Sequence, residues 1–375
     1  MTEGVIKMKV CHLTSVHKLD DVRINLKECK SLADHHDVYI IGSDNRELDF
    51  DDTNVHIINL KLKFNNKIAR IFKMHKTILS EAKKIDADVY HIHDPELLLI
   101  CKDLKRMGKK VIFDSHEDTE KQILSKYYIP KLLRNFISII YRKYEIKITK
   151  EIDGVIAATP TIYNKFININ NNTIIVKNYP ILSEFNQINN DFSVKKNQVV
   201  YVGGISIERG ILTMIDIANL LPEVDFKFCG DFMSQDEKKL AIERIQGSNI
   251  EFLGYVDREK IKFNLEQSKL GLVLLEKNER YSDSLPIKMF EYMAAGLPVI
   301  ATDFELWKKI LNNEEYKVGY CANPENHQDI ASNIKDLFNN LDLMQSMGDK
   351  ARELVIKKYN WDNESVKLIK FYNEI

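Results

Sequence analysis

Val199-Val200-Tyr201-Val202-Gly203-Gly204 is the stretch that decides the architecture. Four β-forming residues in a row read as a strand buried on both faces, and the paired glycines end it. A helical pattern follows over residues 209–220, then a second strand over 226–229 that stops at Gly230-Asp231. Strand, turn, helix and strand make a βαβ unit, and such units build parallel sheets. The alternation continues with strands over 250–253, 270–275 and 298–301 and a helix over 286–295. Toward the N-terminus it shows strands over 8–13, 38–41, 88–92, 110–113, 154–158 and 173–176, with helices over 21–33, 67–84 and 131–150. Residues 184–197 interrupt it: they are polar, rich in Asn and without period, which are the marks of a linker. The expectation is an α/β chain of two doubly wound domains, 1–183 and 198–355, joined by 184–197 and closed by a helical segment over 356–375. A length of 375 residues suits two domains better than one core.

Composition removes several classes. The net charge of −1 is a poor start for a nucleic-acid binder. The five cysteines, Cys11, Cys29, Cys101, Cys229 and Cys321, form no CxxC pair and are odd in number. They argue against a disulfide framework and a thiolate zinc site, and for a reducing compartment. Residues 1–10 lack an apolar signal core, and no apolar run approaches the roughly 20 residues that span a bilayer. The expected location is the cytoplasm or the inner face of the cell membrane. Thr14-Ser15-Val16-His17 follows the first strand where a nicotinamide dehydrogenase needs Gly-x-Gly-x-x-Gly.

The richest chemistry lies over residues 282–296. Pro286 is placed to open a helix and Gly296 to stop it. The first-turn N–H groups of such a helix attract an anion. Asp283 precedes the helix, and Lys288 and Glu291 share one of its faces. A capped helix with a surface ion pair explains the same residues. The segment nevertheless resembles the Glu-x7-Glu region of family 4 of the retaining glycosyltransferases, which have the GT-B fold. It carries Glu291-Tyr292-Met293-Ala294-Ala295-Gly296-Leu297-Pro298-Val299 against the family's Glu-Ala-Met-Ala-x-Gly-x-Pro-Val, with Asp283 in place of the first Glu. Tyr201-Val202-Gly203-Gly204 through Arg209-Gly210 resembles the family's diphosphate turn, with Gly204 where an Arg is usual and Arg209 where a Lys is usual. Val111-Ile112-Phe113-Asp114-Ser115-His116 resembles the strand that carries a histidine over the donor sugar, and His91, His93 and Asp94 look like the matching acceptor-side loop. Tyr359-Asn360-Trp361 and the helix after it resemble the element that crosses back onto the N-terminal domain.

The resemblance implies two Rossmann-like domains facing across a cleft, acceptor side first and nucleotide sugar second. It implies donor binding by Gly203, Gly204, Arg209, Asp283, Leu285, Lys288 and Glu291, with Glu291 on the ribose. His116, Asp283 and Arg209 are the implied catalytic residues. Asp21, Arg23, His91, His93 and Asp94 are the implied acceptor-side residues, although Asp21 and Arg23 equally suit a helix N-cap and its neighbour. The implied donor is a nucleotide sugar, UDP-linked by preference, the acceptor a glycan or lipid-linked glycan, and no nucleic acid or cofactor takes part. His-x-His beside a carboxylate also suggests a metal; we expect none, on the view that His91 and His93 diverge along their strand. The basic, apolar helices with Lys67, Ile68, Arg70, Ile71, Phe72, Lys73 and Lys76, and with Tyr127, Tyr128, Lys131, Arg134, Phe136, Ile139, Tyr141, Arg142 and Lys143, suit either packing on the sheet or peripheral contact with an anionic membrane. A nucleotide-sugar epimerase of the same fold and a non-catalytic sugar-nucleotide binder are the alternatives.

Overall fold

The computed structural model describes residues 7–46, 54–62, 67–126, 129–312 and 315–375; Tyr127 and Tyr128 and the side chains of 67–72 lie outside the described set. Contacts divide the chain into two units, Met1–Asn178 with Asn363–Ile375, and Tyr179–Asp362.

The first unit is built on β1 (Lys9–Leu13), β2 (Asp37–Gly42), β3 (Val55–Asn59), β4 (Val89–Ile92), β5 (Lys110–Ser115), β6 (Gly154–Ala157) and β7 (Thr173–Ile175). Their order is β3-β2-β1-β4-β5-β6-β7, and every pairing is parallel. The second unit holds β8 (Gln198–Val202), β9 (Asp225–Cys229), β10 (Ile250–Gly254), β11 (Leu270–Val273), β12 (Val299–Thr302) and β13 (Gly319–Ala322). Their order, β10-β9-β8-β11-β12-β13, repeats the same scheme, again all parallel. Both sheets therefore reverse direction beside their first strand, β1 or β8. In open α/β sheets ligands bind at the carboxyl ends next to that switch point. The edge strands β3 and β13 were not anticipated. β3 is half-buried with a histidine in it, and β13 opens on Gly319, so neither shows the apolar run of an inner strand.

Two local expectations change. The stretch 184–197 is packed rather than a free linker: Phe185, Ile188 and Phe192 are buried in the core of the second unit. Arg352 fastens it, its guanidinium donating to the carbonyls of Phe185 at 3.2 Å and Ile188 at 3.4 Å. Three large side chains without a period are enough to peg an irregular segment, and periodicity is blind to them. Pro286 is the N-cap, in an extended conformation, and the helix proper is Ile287–Ala294.

The last helix, Trp361–Glu374, is shared out by the contacts so that Asn363 onward belongs with the first unit. A Cβ on Gly154 would stand 2.5 Å from the Phe371 ring, so only glycine lets that ring reach β6. The Glu364 carboxylate accepts from the Lys177 N–H at 2.9 Å. All five cysteines are free. Among the described residues no helix is long and apolar enough to cross a membrane.

Candidate functional site

In the second unit the site forms where β8 ends. Gly203 has φ +123°, and a Cβ there would lie 3.1 Å from Lys288 Nζ. A Cβ on Gly204 would lie 3.0 Å from Arg209 Nη1. Two cations thus converge on a turn that has room for them because it has no side chains. The helix Ile287–Ala294 is held in place by Tyr292, whose hydroxyl accepts from the Val202 N–H at 2.8 Å. Its ring fills the space over Gly271, where a Cβ would come within 2.2 Å. Tyr201 is the floor: its hydroxyl donates to the Gly204 carbonyl at 2.8 Å, and Lys288 Nζ sits 3.7 Å from its ring centroid.

Lys288 Nζ is closed off from solvent and has no hydrogen-bond partner among the described residues. Burial, and then the nearby Arg209, push its ammonium well below the ordinary lysine range, against the pull of Glu291. Arg209 is half-buried, and its Nη1 donates to the Gly204 carbonyl at 3.3 Å. The Pro286 cap makes no side-chain hydrogen bond to the helix N-terminus. Glu291 is buried, with its Oε1 accepting from Arg258 Nη1 at 2.7 Å; Arg258 also reaches Glu184. Leu285 packs half-buried on the core, and Asp283 is exposed at the end of the short helix Glu279–Ser282. The loop between them is pinned by Trp307, whose indole N–H donates to the Ser284 carbonyl at 2.8 Å. The structure therefore groups Gly203, Gly204, Arg209 and Lys288. Tyr201 and Arg258 were missed, because a strand tyrosine and a helix arginine carry no signal of their own.

The first unit gathers a different set. The chain after Asp21 winds as a wide helix, Val22–Cys29, before tightening over Lys30–Ala33. Asp21 caps it, accepting from the N–H groups of Arg23 at 2.9 Å and Ile24 at 3.0 Å. A wide i→i+5 helix brings residues five apart toward one face, which an α-helix does not. Arg23 Nε accordingly lies 3.0 Å from Glu28 Oε1. The same guanidinium grips Asp114 with two bonds, 3.0 and 2.9 Å, and donates to the Val176 carbonyl at 3.1 Å. Arg23 is thus enclosed and fully occupied. Burial opposes charge on Asp114, but Arg23 and then His116 outweigh it and hold its carboxyl well below the usual range. Burial and the Asp114 charge raise Glu28 well above its usual range, since Arg23 is already shared.

Histidines extend this network. His116 Nε2 is 2.7 Å from Asp114 Oδ2, His93 Nδ1 is 3.2 Å from His116 Nε2, and His12 Nδ1 is 2.8 Å from His93 Nε2. His91 Nδ1 meets the Tyr372 hydroxyl at 2.8 Å. Burial lowers His93 to about 4, and burial with neighbouring imidazoles lowers His12 and His91 well below the ordinary value. The expected divergence of His91 and His93 is wrong. Residues two apart on a strand share a face, and the rings stack with centroids 4.5 Å apart. Asp94 is used by the loop after β1, accepting from Thr14 Oγ1 at 2.8 Å and from the N–H groups of Ser15 at 2.6 Å and Val16 at 3.2 Å. His116 and His17 are the partly open members, their ring centroids 5.1 Å apart. His12, His17, Glu28 and Asp114 were missed; for His12 and Asp114 the available signal was an ionisable side chain in an apolar run, while His17 and Glu28 lie in polar stretches that carry none.

Comparison with known families follows this division. Residues 23–176 match the model described as Glycosyltransferase Family 4, and residues 183–354 match Glycosyl transferases group 1. Between them the two models cover most of the chain. The chain belongs to the family 4 glycosyltransferases. Its fold is GT-B, two Rossmann-like domains. This family 4 chain is 26% identical to the sulfoquinovosyl transferase SQD2 of Arabidopsis thaliana over 176 residues, 46% of the chain and 32% of that protein. It is 23% identical to the alpha-galactosylglucosyldiacylglycerol synthase of Streptococcus pneumoniae over 292 residues, 69% of the chain and 75% of that enzyme. The chain thus spans only about a third of the plant relative. Anabaena HepE, solved with UDP-glucose, superposes with a TM-score of 0.72 over 98% of this chain and all of that one, at 14% identity, which speaks for the fold alone.

Proposed function

We propose that this protein is a retaining, metal-independent glycosyltransferase that moves a sugar from a nucleotide donor, UDP-linked by preference, to a glycan or lipid-linked glycan in cell-surface polysaccharide synthesis. The observation that carries the proposal is the enclosed Lys288 ammonium, without a hydrogen-bond partner among the described residues, beside Arg209 on the Gly203-Gly204 turn. An unpaired buried cation is costly, and a diphosphate is the anion that two cations and a helix N-terminus would cradle. In the transfer step the acceptor oxygen bonds to the anomeric carbon as the bond to the diphosphate breaks. A donor phosphate oxygen takes the acceptor's proton, and Lys288 and Arg209 stabilise the charge left on the nucleoside diphosphate. Glu291, positioned by Arg258, takes the ribose hydroxyls; Asp283 and Leu285 line the sugar side. His116, oriented by Asp114, is the donor-sugar histidine, and Asp21, Arg23, His91, His93 and Asp94 order the acceptor-side loops.

The helix Lys131–Thr149 supports contact with a membrane surface. Leu132, Leu133, Phe136, Ile139 and Ile140 are exposed, beside Lys131, Arg134 and Lys143. Buried apolar area together with basic charge is what holds a helix on anionic lipid. That contact fits a lipid-linked acceptor better than a free one.

Thermal stability against UDP, GDP, ADP and their sugars, without added metal, tests the donor site. A ligand bound only by the folded state raises Tm. We expect a rise with one nucleotide, lost in Glu291→Ala; no rise with any of them removes the donor-site assignment.

A further inference from the structure

The first unit contains buried nitrogen and oxygen atoms that have no hydrogen-bond partner among the described residues. His12 Nε2, His91 Nε2 and both carboxylate oxygens of Glu28 make no hydrogen bond, and none of the three side chains is exposed. Glu28 Oε1 has the Arg23 ion pair at 3.0 Å; Oε2 has no guanidinium or ammonium beside it and faces only imidazoles, 3.9 Å from His91 Nε2 and 3.9 Å from His93 Nδ1. His12, Glu28, His91 and His93 can each offer one ligand atom, all within 4.8 Å of one another. Leaving a buried acceptor unsatisfied is destabilising, so several in one place call for a common partner.

We propose that His12, Glu28 and His91, with His93 beside them, form an enclosed binding site for one divalent transition-metal ion of the Zn2+ class. The donor set is imidazole and carboxylate without thiolate, which suits Zn2+ and its neighbours over Mg2+ or Ca2+. Ligand bonds of about 2.0–2.1 Å place tetrahedral ligands about 3.3 Å apart, so the Glu28–His91 pair at 3.9 Å needs only a small contraction. The outer partners are in place as well. A ligating histidine usually commits its other ring nitrogen to a fixed partner. Here His12 Nδ1 is 2.8 Å from His93 Nε2, and His91 Nδ1 is 2.8 Å from the Tyr372 hydroxyl. Asp114 neutralises Arg23 through two bonds, and Glu28, which touches Arg23 only through Oε1, would offset part of the ion's charge.

The role is structural. His12 lies on β1, His91 on β4 and Glu28 on the helix after β1, while Tyr372 belongs to the last helix. One ion would tie these elements of the first unit together and take no part in the chemistry at Lys288 and Arg209 in the second.

The test uses full-length protein without a polyhistidine tag, made in zinc-supplemented medium and purified without chelator. Mass spectrometry of the metal content is expected to give close to one ion per chain. Stripping with dipicolinate should lower Tm, and Zn2+ should restore it; Co2+ in its place should show the intense visible bands of a four-coordinate site. His91→Gln and Glu28→Gln should each weaken Zn2+ binding by about 10–100-fold, whereas His35→Gln, at an exposed position outside the cluster, should not. If those variants fail to fold, the wild type still decides. Anomalous scattering at the zinc edge must place the ion between His12, Glu28 and His91. Metal content below a tenth of an equivalent, both as purified and after refolding with excess Zn2+, Co2+ or Ni2+, overturns the proposal, as does an ion located elsewhere or an ordered water at this place.

Discussion

The two sheets share one strand order yet carry opposite unmet needs beside their first strands. Next to β1 the atoms without a hydrogen-bond partner among the described residues belong to bases, two imidazole nitrogens and the Glu28 carboxyl that shares Arg23 with Asp114, all shut away from solvent. Next to β8 the group lacking a partner is an ammonium, set on a turn of two glycines. One crevice is short of a cation and the other of an anion. Topology selects where ligands gather, while the sign of the unsatisfied side chain selects which ligand. In the first unit Arg23 is consumed by Asp114, Glu28 and a carbonyl, so it is part of the scaffold, whereas Arg209 donates to the Gly204 carbonyl at 3.3 Å and, among the described residues, pairs with no carboxylate.

The largest effect should break that contrast at its centre. Arg23→Met removes the partner of two buried carboxylates and should cost about 3–5 kcal/mol of stability, read as a lower urea midpoint. Lys288→Met should do the reverse: it removes a buried charge that no carboxylate or hydrogen bond among the described residues compensates, so the unliganded Tm should hold or rise. If both variants lose stability alike, the distinction between a consumed and an available cation is lost.

Catalysis should fall next. Arg209→Ala and Lys288→Met should each lower kcat by about 10²–10³-fold, the scale of removing one charge-stabilising group from a transition state, measured by release of nucleoside diphosphate with acceptor present. A fall under threefold would take the diphosphate away from this turn.

The pH dependence sharpens the assignment to Lys288. Its pKa is depressed in the free protein, and a bound diphosphate would draw it back up. Binding then takes up a proton between the two values, so affinity falls as pH rises through the free-state pKa, by about tenfold per pH unit at most. Isothermal titration of the donor nucleotide in buffers of different ionisation heat should show that uptake, and Lys288→Met should abolish it. The smallest effect belongs to the exposed helix. Phe136→Glu should weaken binding to vesicles of anionic lipid by several-fold with little change in transfer to a water-soluble acceptor; equal binding by both proteins would leave that face without a lipid partner.

Much of this was legible in the chain itself. The inner strands are continuous apolar runs, and the glycine turn after Val202 and the Glu291 helix are local patterns, so the two sheets and the grouping on the second one could be read directly. The edge strands β3 and β13 escaped because half-exposed edges carry weaker patterns. The pegged stretch 184–197 escaped because its anchors, Phe185, Ile188 and Phe192, follow no period. His12, Glu28, His91 and Tyr372 escaped as a group for a different reason: 281 positions separate His91 from the Tyr372 it meets. Local sequence determined the elements and the second unit's turn, because backbone preference and burial period act over a few residues. Only the tertiary structure decided which charged groups neutralise one another and which are left over, because a buried charge is governed by whatever chain distance brings beside it.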